Sequence, residues 1–221
     1  MNKQLKLTEN YYRDNLDYKN SLSDAGKIER RRRDVLGRLK LIKESIGSLK
    51  DFFILDIGCS EGLFLKRAGE EGANVLGVEP NKYAVEYAKQ MGISVLEGYF
   101  EEVFPQIKQK FDLVTMFQVL EHFQDAPNVL ERVREVLKPG GFLAIEAVDS
   151  EKYADDDTEK EHYYNFSPET LTSLCEKTGY KVKKIYHRNF DDTRCYLVRI
   201  LQKGHFMFFV AQKVDKAPDN C

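Results

Sequence analysis

The sequence lacks the features that mark a membrane-spanning, secreted or nucleic-acid-binding protein. None of its apolar runs approaches the roughly 20 residues that a membrane-spanning helix needs. Its first six residues lack the apolar core of a signal peptide. The net charge is −2 over 221 residues, so no overall field attracts nucleic acid. We therefore expect no membrane span and no nucleic-acid partner.

Cysteine is also scarce, and its spacing excludes two kinds of site. Cys59, Cys175, Cys195 and Cys221 form neither a CxxC pair nor the Cys/His spacing of a metal site. They are typical of reduced thiols in a cytoplasmic protein. We expect Cys221, which lies on a polar tail, to be exposed.

The composition that is present suits one α/β domain with an appendage. Hydrophobic residues make up 42% of the chain and supply a core, and charged residues make up 32%. We predict an N-terminal helical segment or lid over residues 1–50, a main domain over 51–214 and a tail over 215–221.

Strands alternate with helices along the main domain, which indicates a parallel sheet covered on both faces. Ser167 before Pro168 predicts the start of a late helix that ends near Gly179. Helical periodicity predicts further helices over residues 27–45, 62–71, 82–91 and 126–137. Apolar runs predict strands over residues 52–57, 74–79, 94–96, 111–117, 141–148, 181–188 and 205–213.

The first strand of the main domain ends in a glycine-rich turn after Asp56. Gly58 and Gly62 frame this turn, and Glu79 ends the next strand. Such a βαβ unit leaves backbone N–H groups open at a helix N-terminus and places a carboxylate where it can accept both hydroxyls of a ribose. The pattern indicates a nucleoside-containing cofactor.

The charges around the turn indicate whether the cofactor carries phosphates or a positive charge. A dinucleotide site usually carries G-x-G-x-x-G, whose middle glycine lets a pyrophosphate approach. Here Ser60 takes that place, and Glu61 adds negative charge near Asp56. These acids oppose phosphates and favour a cation. S-adenosylmethionine, which has a ribose and a positive sulfonium but no phosphate, fits this turn.

Five motifs in order make the chain resemble the class I S-adenosylmethionine-dependent methyltransferases, among them those that act on quinone precursors and sugars. The resemblance covers residues 49–183 and makes 51–214 the methyltransferase domain. It implies a Rossmann-like sheet of seven mostly parallel strands, with helices on both faces and the last strand antiparallel. The motifs are the glycine turn at 54–62, the Glu-Pro pair at 79–80, the strand at 111–114, the VLEH segment at 119–122 and the LKPGG turn at 137–141.

The resemblance also implies which residues bind the cofactor. Glu79 holds the ribose, Gln118 meets the amino-acid end, and Glu101 is the acid nearest to the adenine. Tyr99 and Phe100 pack against the adenine, or else belong to the core. The nine predicted cofactor-binding residues are Asp56, Gly58, Cys59, Gly62, Glu79, Pro80, Tyr99, Phe100 and Gln118.

Cys59 offers its backbone rather than a nucleophile, because neighbouring acids raise the pKa of a thiol. His122 is the candidate catalytic base, since imidazole accepts protons near neutral pH. The alternative is a structural histidine that closes the loop after the fourth strand. Some quinone-precursor relatives bind a metal through E-x-x-E-H at this place. Gln118 replaces the first acid here, so we predict no metal site.

The acceptor has no readable motif. Tyr11 and Tyr12 are candidates for a lid over the cofactor, and residues 162–166 either border the acceptor pocket or pack against the sheet edge. The four arginines at 30–33 point to all sides of a helix and are flanked by acids, which favours a solvated helix over a nucleic-acid patch.

The predicted activity is methyl transfer from S-adenosylmethionine to an oxygen, nitrogen or carbon nucleophile of a small molecule. Two alternatives stay open at this point. One is a non-catalytic, methyltransferase-like subunit that only binds the cofactor, and the other is an NAD-dependent oxidoreductase. The sequence does not specify an oligomeric state.

Overall fold

The structure is a computed structural model that describes residues 12, 13, 15, 24–150, 162–188 and 206–214. The predictions made for Tyr11, Cys195, Cys221, the first residue of the last predicted strand (205) and the tail lie outside these residues.

Seven strands of the described residues form one sheet. They are β1 (Phe53–Ile57), β2 (Asn74–Glu79), β3 (Val95–Glu97), β4 (Phe111–Phe117), β5 (Leu137–Val148), β6 (Tyr180–Arg188) and β7 (Phe206–Lys213). Their order in the sheet is β3-β2-β1-β4-β5-β7-β6. The first five strands pair in parallel, and β7 lies antiparallel between β5 and β6. The predicted Rossmann-like sheet with an antiparallel last strand is confirmed.

Four of the described α-helices begin after a residue whose side chain caps the helix. Asp24 accepts the N–H of Lys27 at the first helix, and Ser167 accepts the N–H of Thr170 at the last. None of the described helices is long and apolar enough to cross a membrane. The helices are α1 (Ala25–Ile46), α2 (Leu63–Glu70), α3 (Lys82–Gln90), α4 (Phe100–Val103), α5 (Ala126–Val136) and α6 (Pro168–Lys177).

Alternate residues of the central strands pack into two separate hydrophobic cores, one on each face of the sheet. In β1, Leu55 packs in the core that contains residues of α5 and α6, whereas Ile54 packs in the core that contains residues of α1 and α2. Both faces of these strands are therefore buried, which explains their continuous apolar sequences.

One local prediction was wrong, and one short helix was not predicted. Residues 138–141 were expected to form a turn, but β5 already pairs with β4 through Leu137 and Phe111, and the register then shifts before Phe142 pairs with Leu113. Pro139 has no N–H to give to the ladder, so the strand absorbs it as an irregularity. The short helix α4 was also missed, because four residues are too few to show helical periodicity.

Candidate active site

A cavity of about 800 Å³ opens at the carboxyl ends of β1, β2 and β4. The order of the sheet reverses here, because β2 lies on one side of β1 and β4 lies on the other. The cavity is lined by eight of the nine predicted cofactor-binding residues, and by His122 and Glu101. The ninth, Gly62, lies at the start of α2, where a Cβ would come within 3.2 Å of the Cβ of Ala88.

The glycine turn lies directly against the segment that follows β4. Gly58 has a φ of 72°, and a Cβ at this position would lie 2.4 Å from a methyl carbon of Val119. Only glycine satisfies both the left-handed backbone and the contact. The N–H groups of Gly58 and Cys59 both donate to the carbonyl oxygen of Val78, at 2.8 and 3.0 Å. These bonds anchor the turn to the end of β2.

Glu79 is buried at the end of β2 and connects two loops. Its Oε2 accepts the N–H of Ser60 at 2.8 Å, and its Oε1 accepts the N–H of Asn81 at 2.8 Å. Burial raises the pKa of Glu79 to about 7, against the lowering effect of these two N–H donors. Each oxygen keeps a further lone pair, and Glu79 lines the cavity. The carboxylate can therefore accept two more hydrogen bonds, as a ribose diol requires.

Asp56 is a second buried acid in the same wall of the cavity. Its Oδ1 accepts the hydroxyl of Thr115 at 2.6 Å, and its side chain is almost fully buried. Burial raises the pKa of Asp56 to about 7, while the Thr115 hydroxyl and the charge of Arg38 act in the opposite direction. A cationic ligand beside this carboxylate would favour its ionised form.

Cys59 is packed rather than reactive. A Cβ on Gly77 would lie 2.4 Å from its sulfur, so the thiol fills the space left by that glycine of β2. The pKa of the thiol is raised, first by burial and then by Asp56 and Glu79. The prediction of a raised pKa is confirmed, but burial contributes more than the neighbouring acids.

Helix α1 neutralises part of the charge that the sequence placed around the turn. Glu61 is buried, and its Oε1 lies 3.3 Å from a guanidinium nitrogen of Arg31. Arg31 therefore balances part of the negative charge of Glu61, and only the remainder can attract a cationic ligand. Arg30 and Arg31 line the cavity; Arg31 is half-buried, so the interpretation of the arginine run as a solvated helix does not hold for Arg31, whereas Arg30 is exposed. The reason is that α1 packs across the site.

An ion pair that was not predicted from the sequence lies in the cavity wall, where Arg38 is a lining residue. Arg38 donates from Nε to Oε1 of Glu146 at 3.2 Å, and its guanidinium lies 4.5 Å from the ring centre of Phe117. Gln118 also donates its amide N–H to Glu146, at 3.0 Å. An acid inside the apolar run of β5 was the signal that could have found this pair. The pair joins α1 to the sheet and orients Gln118.

His122 stands at the edge of the cavity among side chains from distant parts of the chain. The hydroxyl of Tyr12 lies 3.0 Å from its Nδ1, within hydrogen-bond distance. The ring of His162 lies edge-on, with 4.7 Å between the ring centres. Of the predicted aromatic cluster at 162–166, Tyr163 lines the cavity, whereas Phe166 is buried in the core. The cluster is therefore divided between the cavity and the core, and the acceptor-pocket interpretation stays a prediction.

The short N-terminal stretch that the structure describes, residues 12, 13 and 15, contacts loops around the cavity. The side-chain amide of Asn81 donates to the carbonyl oxygen of Tyr12 at 2.7 Å. Arg13 pairs with Glu102 and lies 5.1 Å from the ring centre of Tyr99. These contacts connect the segment to the loops after β2, β3 and β4.

The sequence matches a known family over most of this fold. Residues 25–185 match the family described as a methyltransferase domain. The chain belongs to this family. The predicted class, S-adenosylmethionine-dependent methyltransferases, and their cofactor are thereby confirmed. The match begins at residue 25, so it includes α1.

A curated relative is the ubiquinone biosynthesis O-methyltransferase of Salmonella enteritidis. It is 34% identical over 110 residues, which are 47% of this chain and 46% of that protein. The chain spans about half the length of the curated relatives it matches.

Solved structures show the same fold. An S-adenosylmethionine-dependent methyltransferase from Mesorhizobium loti superposes with a TM-score of 0.66 at 18% identity, covering 80% of this chain and 98% of that one. Magnesium protoporphyrin IX methyltransferase from Synechocystis, with bound S-adenosylhomocysteine, gives 0.67 at 14% identity, covering 94% and 98%. At these identities the likeness concerns the fold alone.

Proposed function

We propose that this chain transfers the methyl group of S-adenosylmethionine to a small-molecule acceptor. The observation that carries the proposal is the pair of buried carboxylates, Asp56 and Glu79, in one cavity at the reversal point of the sheet. A ribose and a cation satisfy these two groups, whereas a pyrophosphate beside them would be repelled.

In this proposal, groups along the cavity wall determine where each part of the cofactor binds. Glu79 accepts the ribose hydroxyls, with Pro80 beside it, and the adenine packs near Phe100 within reach of Glu101. The methionine end lies toward Asp56 and the glycine turn, where Gln118 is held by its bond to Glu146. Gly62 contributes through the shape of the turn rather than by contact, since it does not line the cavity.

The acceptor enters between the cofactor and the N-terminal stretch. Aromatic and polar side chains line this part, including Phe123 and Tyr163, and both kinds of group suit a small molecule with an apolar body and a polar reacting end. The acceptor atom attacks the sulfonium methyl, the carbon–sulfur bond breaks, and S-adenosylhomocysteine leaves. Alignment supplies most of the rate, and His122 takes the acceptor's proton.

The N-terminal segment, residues 1–50, serves as a lid in this proposal. Its described residues Tyr12 and Arg13 contact the segments that follow β2, β3 and β4. Closing a site in this way excludes water and holds the reactants in line. Helix α1 is its fixed part, because Val35, Leu39 and Ile42 are buried in the core.

Cofactor binding is expected to strengthen as the pH rises from about 6 to about 8. The pKa values of Asp56 and Glu79 are both raised to about 7 in the cofactor-free protein. The ionised forms attract the sulfonium and accept the ribose hydroxyls, so binding at pH 7 releases protons. Calorimetric titration with S-adenosylmethionine in two buffers of different ionisation heat measures this release. Proton uptake, or an affinity that does not change with pH, would contradict the placement of the cofactor.

His122→Asn is expected to lower turnover by about 100-fold or more while leaving S-adenosylhomocysteine affinity within a few fold. Turnover is followed as S-adenosylhomocysteine formed from S-adenosylmethionine over a panel of phenols, amines and carbon acids. His187→Asn is the matched control, because His187 lies on β6 and contacts Asp149 instead. If the His122 and His187 variants show equal turnover, His122 is not the catalytic base and has a structural role instead.

The alternatives make different predictions in the same assays. A chain that binds the cofactor and turns over none of the acceptors would be a non-catalytic subunit. A chain that NAD stabilises against heat, and S-adenosylhomocysteine does not, would be an oxidoreductase. Nothing in the site favours either. The cytoplasmic location and the absence of a nucleic-acid partner stay predictions.

A further inference from the structure

Glu121 is a buried acid whose environment is not explained by the methyl-transfer site. Its side chain is 2% exposed, and neither carboxylate oxygen has a hydrogen-bond partner among the described residues. Taking an ionised carboxylate out of water without a partner costs several kcal/mol. Buried polar groups in folded proteins are almost always paired, so this one needs a counterpart that the protein atoms do not supply.

Two histidines lie beside this acid. His122 follows it in the same 3₁₀ turn (Leu120–His122), and His162 comes from a segment 40 residues later. One ligand atom from each of Glu121, His122 and His162 lies within 4.8 Å of the others. Three donors at such separations can converge on a single ion.

The backbone fixes the distant histidine against the turn. The N–H of Tyr163 donates to the carbonyl oxygen of Glu121 at 2.8 Å. His162 is therefore attached, through its neighbour, to the same residue that carries the buried carboxylate. The site is built by two segments that the fold holds together rather than by a chance approach of surface side chains.

We propose that Glu121, His122 and His162 bind one divalent transition-metal ion of the Zn²⁺ class. Two imidazoles and one carboxylate are a donor set that Zn²⁺ and its first-row neighbours favour, whereas Mg²⁺ prefers oxygen ligands alone. Three protein ligands leave a coordination position open. Since His122 lines the cavity, the ion would lie next to the acceptor space. With His122 as its ligand, the ion would lower the pKa of the acceptor group in place of the free imidazole base of the proposed function.

This inference opposes the expectation of no metal, which rested on Gln118. That residue does not take part in the proposed site, because its amide nitrogen donates to Glu146. The sequence pattern considered only ligands within five consecutive residues. His162 supplies the third donor from outside that pattern, and its nitrogen shifts the expected preference from Mg²⁺ towards Zn²⁺.

Titration calorimetry of the full chain, freed of metal by a chelator and with accessible cysteines alkylated, tests the site. Zn²⁺ is expected to bind with one equivalent per chain and more tightly than Mg²⁺. His162→Asn and Glu121→Gln are each expected to weaken Zn²⁺ binding by at least about 100-fold, since loss of a ligand costs more than the 10- to 100-fold typical of outer-shell partners. His187→Asn is the matched control and should keep the wild-type affinity.

S-adenosylhomocysteine binding, measured on the same samples, shows that each variant is folded. It also separates this inference from the proposed function, because metal binding is read without any turnover. Three results would overturn the inference: no Zn²⁺ binding by the wild-type chain, unchanged affinity in His162→Asn, or equal loss in His187→Asn. Glu121 would then be a buried acid held in its protonated form.

Discussion

Glu79→Gln is expected to weaken the affinity for S-adenosylhomocysteine by about 100-fold. Hydrogen bonds to a charged group contribute about 1.5–3 kcal/mol each, and a 100-fold change corresponds to about 2.7 kcal/mol. The amide keeps the shape of the side chain but loses the charge and one acceptor. Titration calorimetry at pH 8, where the wild-type carboxylate is ionised, measures the difference.

Glu97→Gln is the matched control for this change. Glu97 ends the neighbouring strand β3 and pairs in register with Glu79, but it is exposed and does not line the cavity. Its variant should bind like the wild type. Because Glu79 also accepts the N–H groups of Ser60 and Asn81, thermal unfolding of the variant is measured in parallel. If the Glu79→Gln chain is folded and keeps the wild-type affinity, the ribose does not bind to the carboxylate of Glu79.

Arg38→Met is expected to lower the free energy of unfolding by about 3 kcal/mol. The change leaves the carboxylate of Glu146, which is 1% exposed, buried without its cation. Methionine keeps an apolar side chain against Phe117, so the loss of stability is due mainly to the missing positive charge. Urea unfolding monitored by circular dichroism measures the effect.

A double-mutant cycle separates the ion pair from simple loss of packing. Arg38→Met combined with Glu146→Gln should recover most of the loss, because no buried charge remains. Arg67→Met, which breaks the exposed pairs of α2 with Glu70 and Glu71, should change stability by less than about 1 kcal/mol. A loss in Arg38→Met as small as that of Arg67→Met would mean that the pair does not hold α1 to the sheet.

The strands and the main site acids could be predicted from the sequence because their signals are local. The strands at 74–79 and 111–117 lie where the apolar runs placed them. Asp56 and Glu79 were found because both stand at the end of such a run, and a parallel sheet brings the ends of neighbouring strands together. The serine–proline start of α6 is a local signal of the same kind.

The charges that balance these acids could not be predicted, because their partners lie far away in sequence. Arg38 and Glu146 are 108 residues apart, and Arg31 reaches Glu61 only because α1 packs across the turn. Spacing along the chain contains no information on such pairs. For this reason the whole charge of Glu61 was expected to act on the cofactor, although Arg31 neutralises part of it within the protein.

Some parts of the cavity are formed by short sequence motifs, and others by residues that lie far apart in the sequence. Its floor, formed by the glycine turn and the strand ends, is encoded in short motifs. Its opposite side is formed by Tyr12, His122 and Tyr163, which come from three separate parts of the chain. The donor could therefore be inferred from the sequence, whereas the class of acceptor depends on groups that only the fold brings together.

A crystal structure of the full chain with S-adenosylhomocysteine shows whether the buried carboxylate of Glu79 holds the ribose. We expect both ribose hydroxyls within hydrogen-bond distance of the two carboxylate oxygens of Glu79, with the sulfur turned toward the space beside His122. A ribose bound away from Glu79, or a ligand outside the cavity at the ends of β1, β2 and β4, would contradict it.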